Sequence, residues 1–443
     1  MSLANAESIH SELISLIESI GFDLDNLAGV STDSASVMVG CKSGVVTMLK
    51  QVTKGLLATH CIAHRLALGT GAAADQIRYL VKFQDVLNSM FKYFDNSPKN
   101  MYRLEAIQTV LATSQTRLQQ VFHTRWLSFE GSVQAVVNNY PAVVSVFLED
   151  KSAKALAMHK PITTFKFLYV AHYLADVLKQ LSILCKAYQR SDIDFTEVNP
   201  LLLSTVEVLE VLRSESGCNI SRFLSQPSLD SSGLCTFDFQ GHIIRDGAQQ
   251  RSEAASACFQ FVSIVIDNLK ARFTEEGDAA ILGALTKLFD PSLYGFQSVS
   301  PVLSEASDVV ADYLSSCGLG SELDLNQELS SFISYAGVQV VRSGKVYCCV
   351  KDLVQLALRF KSTYPSVAVA AERLLVSPVS TVDCERGFSK MNLIKTDIRN
   401  KLNINNLQNI LRISMHDSDE HSFKFEEAFS KWASKKARHV TFS

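Results

Sequence analysis

Proline is scarce in this chain, with 9 in 443 residues, and glycine is not abundant at 20. Turn-rich β architecture needs both, so their scarcity favours helices. No apolar run reaches the eighteen or so residues of a membrane span, so no membrane partner is expected. Charge of one sign is missing too: the formal net charge is −3. No global basic field draws the chain to nucleic acid, and any DNA contact must come from a local patch and be weak. The ten cysteines are scattered. They form no dense framework, and no signal peptide is visible at Met1, so free thiols in a reducing compartment are expected. With 443 residues, two or three domains are expected.

What is present is helical periodicity. Residues 6–20 place Ile9, Leu13, Leu16, Ile17 and Ile20 on one side. The short apolar run 27–32 ends at Asp33, the pattern of a buried strand with an acid at its C-terminal edge. A helix follows through Met38 and Val45 to Leu49. A second strand candidate, 56–60, leads into Cys61-Ile-Ala-His64. Five helical turns follow Asp75. Amphipathic runs near 134–148, 163–187, 200–213, 252–273 and 302–315 predict a long helical stretch. The segment 214–250, rich in Ser, Gly and Asp, is expected to be a long loop. Val338 to Cys349, with Ser343-Gly344 at its middle, reads as a small hairpin.

Near the C-terminus, Ser380 and Asp383 have capping-box spacing after Pro378. Val382, Phe388, Met391, Ile394 and Ile398 recur near helical spacing and form an apolar stripe. Asn403 is placed to cap a second helix with Leu407, Ile410 and Leu411 on one face. The tail from Lys431 to His439 is basic with one tryptophan, which suits either a solvated end or a nuclear-targeting signal.

Cys384-Glu385-Arg386-Gly387-Phe388-Ser389, followed by Met391-Asn392 and Arg399-Asn400-Lys401-Leu402, resembles the C-terminal dimerisation segment of the hAT transposase superfamily. Three further matches fall in the family's order. They are Asp33 in Ser-Thr-Asp-Ser-Ala-Ser, Cys61 and His64 in Cys-Ile-Ala-His-Arg-Leu, and Arg125-Trp126 in His-Thr-Arg-Trp-Leu-Ser. The resemblance implies a chain that is mainly α with a small α/β part, a truncated RNase H-like fold interrupted by a large all-helical insertion. It divides the chain into a partial RNase H-like region (1–129), the insertion (130–370), the returning helix with the dimerisation region (371–415), and a basic tail (416–443).

By that resemblance Asp33 is the family's second catalytic acid and Glu385 its third, held in the family around two divalent metals. The first acid belongs to a strand upstream of the 6–20 helix, for which the sequence from Met1 leaves no room. Two carboxylates alone make an incomplete shell for a hard cation. The expectation is therefore an inactive, domesticated or truncated relative with no cofactor. Mg²⁺ or Mn²⁺ enters only if a longer chain completes the acid triad.

Each site also has a plainer reading. Asp33 suits a turn-capping strand end, and Glu385 a solvated helix residue. Cys61 and His64 have zinc-ligand spacing but no second pair, which favours a packed thiol and a hydrogen-bonded imidazole. Arg125-Trp126 suits either a DNA end or a packing pair. The partner expected is a second copy or a related hAT-like chain, through Met391, Ile394, Ile398, Leu407, Ile410 and Leu411. The expected location is the nucleus or cytoplasm. Two rivals stand beside this reading: an active DNA transposase within a longer chain, and a helical scaffold for unrelated partners.

Overall fold

The computed structural model describes residues 5–435 apart from 114–116, 122–125, 227–235, 275, 295–299, 320–321, 345, 348, 397–398, 400 and 416–422. Two compact units form, Met1–Thr381 and Val382–Ser443. The chain is mainly helical, as expected, and the described residues hold two small sheets.

In the first unit, β1 (Gly29–Thr32) and β2 (Leu57–His60) pair in parallel, with Gly29 opposite Leu57 and Thr32 opposite His60. The helix Val45–Val52 lies in the connection and buries Val45 and Leu49. Ile9 and Leu13 of the Ala6–Ser19 helix pack on that small core, whereas Leu16 and Ile20 of the expected stripe are exposed. The core there is narrow, and one helical turn suffices to cover it.

The chain returns to this sheet near its end. The Ile62 N–H donates to the Val379 carbonyl at 3.0 Å, and the Thr59 hydroxyl donates to the Pro378 carbonyl. Gly29 is required by that approach. A Cβ there would lie 2.7 Å from Pro378 Cδ and 3.1 Å from Ser377 Cα.

Between the two passes lies the helical body, centred on the helix Phe165–Tyr188. It is buried on nearly every side, as an all-round apolar helix must be. The helices Trp126–Glu149, Phe195–Ser214 and Ala248–Arg272 pack around it. Trp126–Glu149 kinks at Asn139, two residues before Pro141, whose ring cannot continue the ladder. Asn139 turns its amide to the Ala135 carbonyl at 2.9 Å and accepts from Gln108.

A second core joins the helices Asp278–Leu288, Pro301–Ser316, Glu322–Ser343, Val350–Arg359 and Pro365–Val376. Leu57 of β2 is part of it, so the sheet is keyed to the helices. Glu328 caps the last of these helices. Its carboxylate accepts the N–H groups of Ser366 (2.7 Å) and Val367 (3.2 Å).

Two local expectations are corrected. Val338–Ser343 is helix, not hairpin strand: Glu322–Ser343 runs through it and stops at Gly344, which has φ +63°. The β-branched valines there favour strand locally. Leu325, Leu329, Phe332 and Ala336 form a buried helical stripe upstream, and that packing overrides the local propensity. The expected loop 214–250 also holds order. It contains the helix Cys218–Leu224 and the antiparallel pair β3 (Thr236–Phe239) and β4 (His242–Arg245). Gln240 and Gly241 turn with φ +54° and +82°, the geometry of a two-residue hairpin. Phe237, Phe239 and Ile244 are buried. Asp176 anchors the helix by accepting the Asn219 and Ile220 N–H groups, each at 3.0 Å.

Candidate dimerisation site

The second unit is built on a helical hairpin. The helix Val382–Ile394 carries Asp383 and Glu385 in its first turn, where acids suit the helix dipole. It starts two residues after Ser380, close to the expected cap. Arg386 pairs with Asp383 at 3.2 Å on the exposed side. The second helix, Ile404–Met415, is capped by Asn403 as expected: its Oδ1 accepts the Asn405 N–H at 2.9 Å. At the far end Lys390 donates to the Ser414 carbonyl at 3.2 Å, a cation on a helix C-terminus. Gly387 faces Met415, so the helices run antiparallel.

Met391 and Ile394 on the first helix are half-buried, as are Leu407, Ile410 and Leu411 on the second. These five fall at helical i, i+3 and i+4 spacing and line the inner face. Ile398 lies outside the described residues. Phe388 is exposed.

Further apolar side chains are exposed off the inner face: Leu393, Ile404 and Ile413 are 78%, 78% and 77% exposed. A third helix, Phe425–Ser434, adds exposed Phe425, Phe429 and Trp432. No residue of Ile404–Met415 or Phe425–Ser434 is buried.

Of the remaining predicted positions, all but Glu385 lie in the first unit. Asp33 follows β1, is exposed, and accepts the Ala35 N–H on Oδ1 at 3.0 Å. Cys61 follows β2 and is fully buried. Its N–H donates to the Thr32 carbonyl at 2.8 Å, and its Sγ accepts the Thr381 N–H at 3.3 Å. His64 is half-buried in the first turn of the helix Ile62–Asp75. Trp126 opens its helix, and Arg125 lies outside the described residues. Glu385 is exposed on the second unit. Among the described residues no three His, Cys, Asp or Glu side chains form a group able to hold a metal ion. Among the described residues no helix is long and apolar enough to cross a membrane.

Residues 352–414 match the family model described as the hAT family C-terminal dimerisation region. This stretch of the chain is similar to the dimerisation region of the hAT family. The hAT match begins at Asp352 in the helix Val350–Arg359 and takes in both helices of the hairpin.

Proposed function

We propose that this hAT-like chain acts by pairing with a second copy of itself through the helical hairpin. The observation that carries this is the state of the helix Ile404–Met415. It has apolar residues both on and off its inner face and buries none of them. Two antiparallel helices can cover only each other's inner face. A two-fold partner would cover the exposed Leu393, Ile404 and Ile413 of each chain. Contiguous apolar patches of more than a few hundred Å² are uncommon on monomers. A related hAT-like chain with the same hairpin would serve as an alternative partner. The test is co-purification of two differently tagged copies of the full chain. Pairing should be retained in the wild type and lost when Leu393 and Ile413 are both changed to Glu. Retention in that variant would refute the assignment of the surface.

We also read the chain as an RNase H-like remnant that does not carry out strand transfer. Asp33 supports this, because one of its carboxylate oxygens is committed to a backbone N–H in a turn. The net charge of −3 supports DNA association that is at most weak and strongly salt-dependent. A nuclear location belongs to the same reading. Incubation with duplex DNA and Mg²⁺ or Mn²⁺ is the check. Cleavage that disappears in Asp33→Ala would overturn it.

A further inference from the structure

A cavity of about 520 Å³ opens in the first unit at the C-terminal end of β2, next to Ser34. That volume is within the range of small-molecule sites, about 300–1,000 Å³. Its walls come from elements far apart in sequence. These are the end of β2, the first turn of Ile62–Asp75, the start of Phe195–Ser214, and the end of Ala248–Arg272. The floor is apolar, with Ile62, Val198 and Leu202 all buried and Phe195 half-buried beside them.

The rim is cationic. Arg65 lies over the Phe273 ring, with its guanidinium carbon 4.6 Å from the centroid. Arg272 reaches in from the opposite wall, its stem lying along Gly69, where a Cβ would come 3.1 Å from Arg272 Cδ. Among the described residues neither arginine has a carboxylate partner. Lys50, by contrast, is paired with Asp278, which also accepts the Ala58 N–H at 2.7 Å. Glu276 is the other acid on the lining. Burial, with the neighbouring Arg272 adding to it, lowers Arg65 below the usual arginine range. Burial also lowers His60 on the same rim, and Arg65 and His64 lower it further. Unneutralised cations held together in this way favour an anion between them. A guanidinium pair prefers a phosphate's geometry, and an apolar floor beside it prefers a planar ring.

We propose that this cavity binds a nucleotide, with its base against Phe195, Val198 and Leu202 and its phosphate between Arg65 and Arg272. All the residues that line it belong to the first unit. The same chemistry is offered by a free nucleotide and by the terminal nucleotide of a DNA strand.

The test is calorimetric titration of the full chain with adenosine 5′-monophosphate, with inorganic phosphate, and with a 5′-phosphorylated single-stranded oligonucleotide. The monophosphate should bind, and inorganic phosphate should bind at least about tenfold more weakly, because it leaves the floor uncovered. Arg272→Ala should weaken the monophosphate by about tenfold or more through loss of a charge-assisted contact. Asn199→Trp, at an exposed rim position, should block it by filling the mouth. Circular dichroism of both variants should match the wild type. Displacement of the monophosphate by the oligonucleotide would support a DNA end as the source, and failure to displace it would support a free nucleotide. Three results would overturn the proposal: no monophosphate binding at millimolar concentration, equal binding of inorganic phosphate, or affinity unchanged in both variants.

Discussion

The backbone N–H of Thr381 donates to the buried sulfur of Cys61 at 3.3 Å, across 320 positions of sequence. With the neighbouring Ile62–Val379 bond, this contact ties the returning chain to the end of β2 just before the first unit ends. Cys61→Ala should leave the Thr381 N–H buried and unpaired, at a cost of about 1–3 kcal/mol. Cys61→Ser, which keeps an acceptor, should cost less. Urea denaturation of the two variants checks the order. Thiol labelling of the native protein should modify the exposed Cys41, Cys218, Cys349 and Cys384 and spare Cys61.

Gly29→Ala tests the same junction from the strand side. The added Cβ meets ring and backbone atoms of Pro378 and Ser377, neither of which is a flexible side-chain end. A loss of about 1–3 kcal/mol is expected, as for other overpacked sites. Thermal unfolding that matches the wild type would show that the return segment does not lie against β1.

Glu328 holds the start of the helix Pro365–Val376 through two backbone N–H groups and the Ser366 hydroxyl. Glu328→Ala should cost about 1–2 kcal/mol, the range for losing a capping side chain. Glu328→Gln, which keeps an acceptor oxygen, should lose part of that. Chemical denaturation of the pair separates the cap from the general effect of removing a charge.

His172 gives a pH signature. Its ring is buried, stacks on Phe223 at 4.9 Å, and approaches the Leu168 carbonyl through Nδ1 at 2.8 Å. Burial is the main cause that lowers its pKa. The folded state therefore binds this proton less readily than the unfolded chain does. The associated stability is present above the unfolded histidine value of about 6.5 and is lost as pH falls below it. His60 and His159 are lowered in the same sense, so the wild-type slope is shared. His172→Phe should reduce the fall in unfolding midpoint between about pH 7 and pH 5. An unchanged slope would remove His172 from that account.

Much of this fold was legible because periodicity and burial agreed. The runs 163–187 and 252–273 became the helices Phe165–Tyr188 and Ala248–Arg272, since their apolar faces found neighbours. The short strands at 27–32 and 56–60 were legible from short apolar runs that end at a polar residue. The pair β3 and β4 was not. Its Ser, Gly and Asp surroundings read as loop, and only the alternation of Phe237 and Phe239 hinted at strand. The segment 338–343 misled because its valines favour strand locally while the stripe through Phe332 dictates helix. In the hairpin, Asn403 was identifiable as a cap from its side-chain chemistry. Leu393, Ile404 and Ile413 were missed, because they fall off the one-face stripe that was sought. The cavity beneath Arg65 and Arg272 was invisible, since its walls are gathered from segments far apart in sequence.

Pairing through the hairpin is decided by sedimentation equilibrium of the wild-type chain. A reversible monomer–dimer equilibrium is expected at micromolar concentration, displaced to monomer in the Leu393→Glu, Ile413→Glu double variant, with each anchor contributing about 2 kcal/mol. A single monomeric species in the wild type across that range would contradict it.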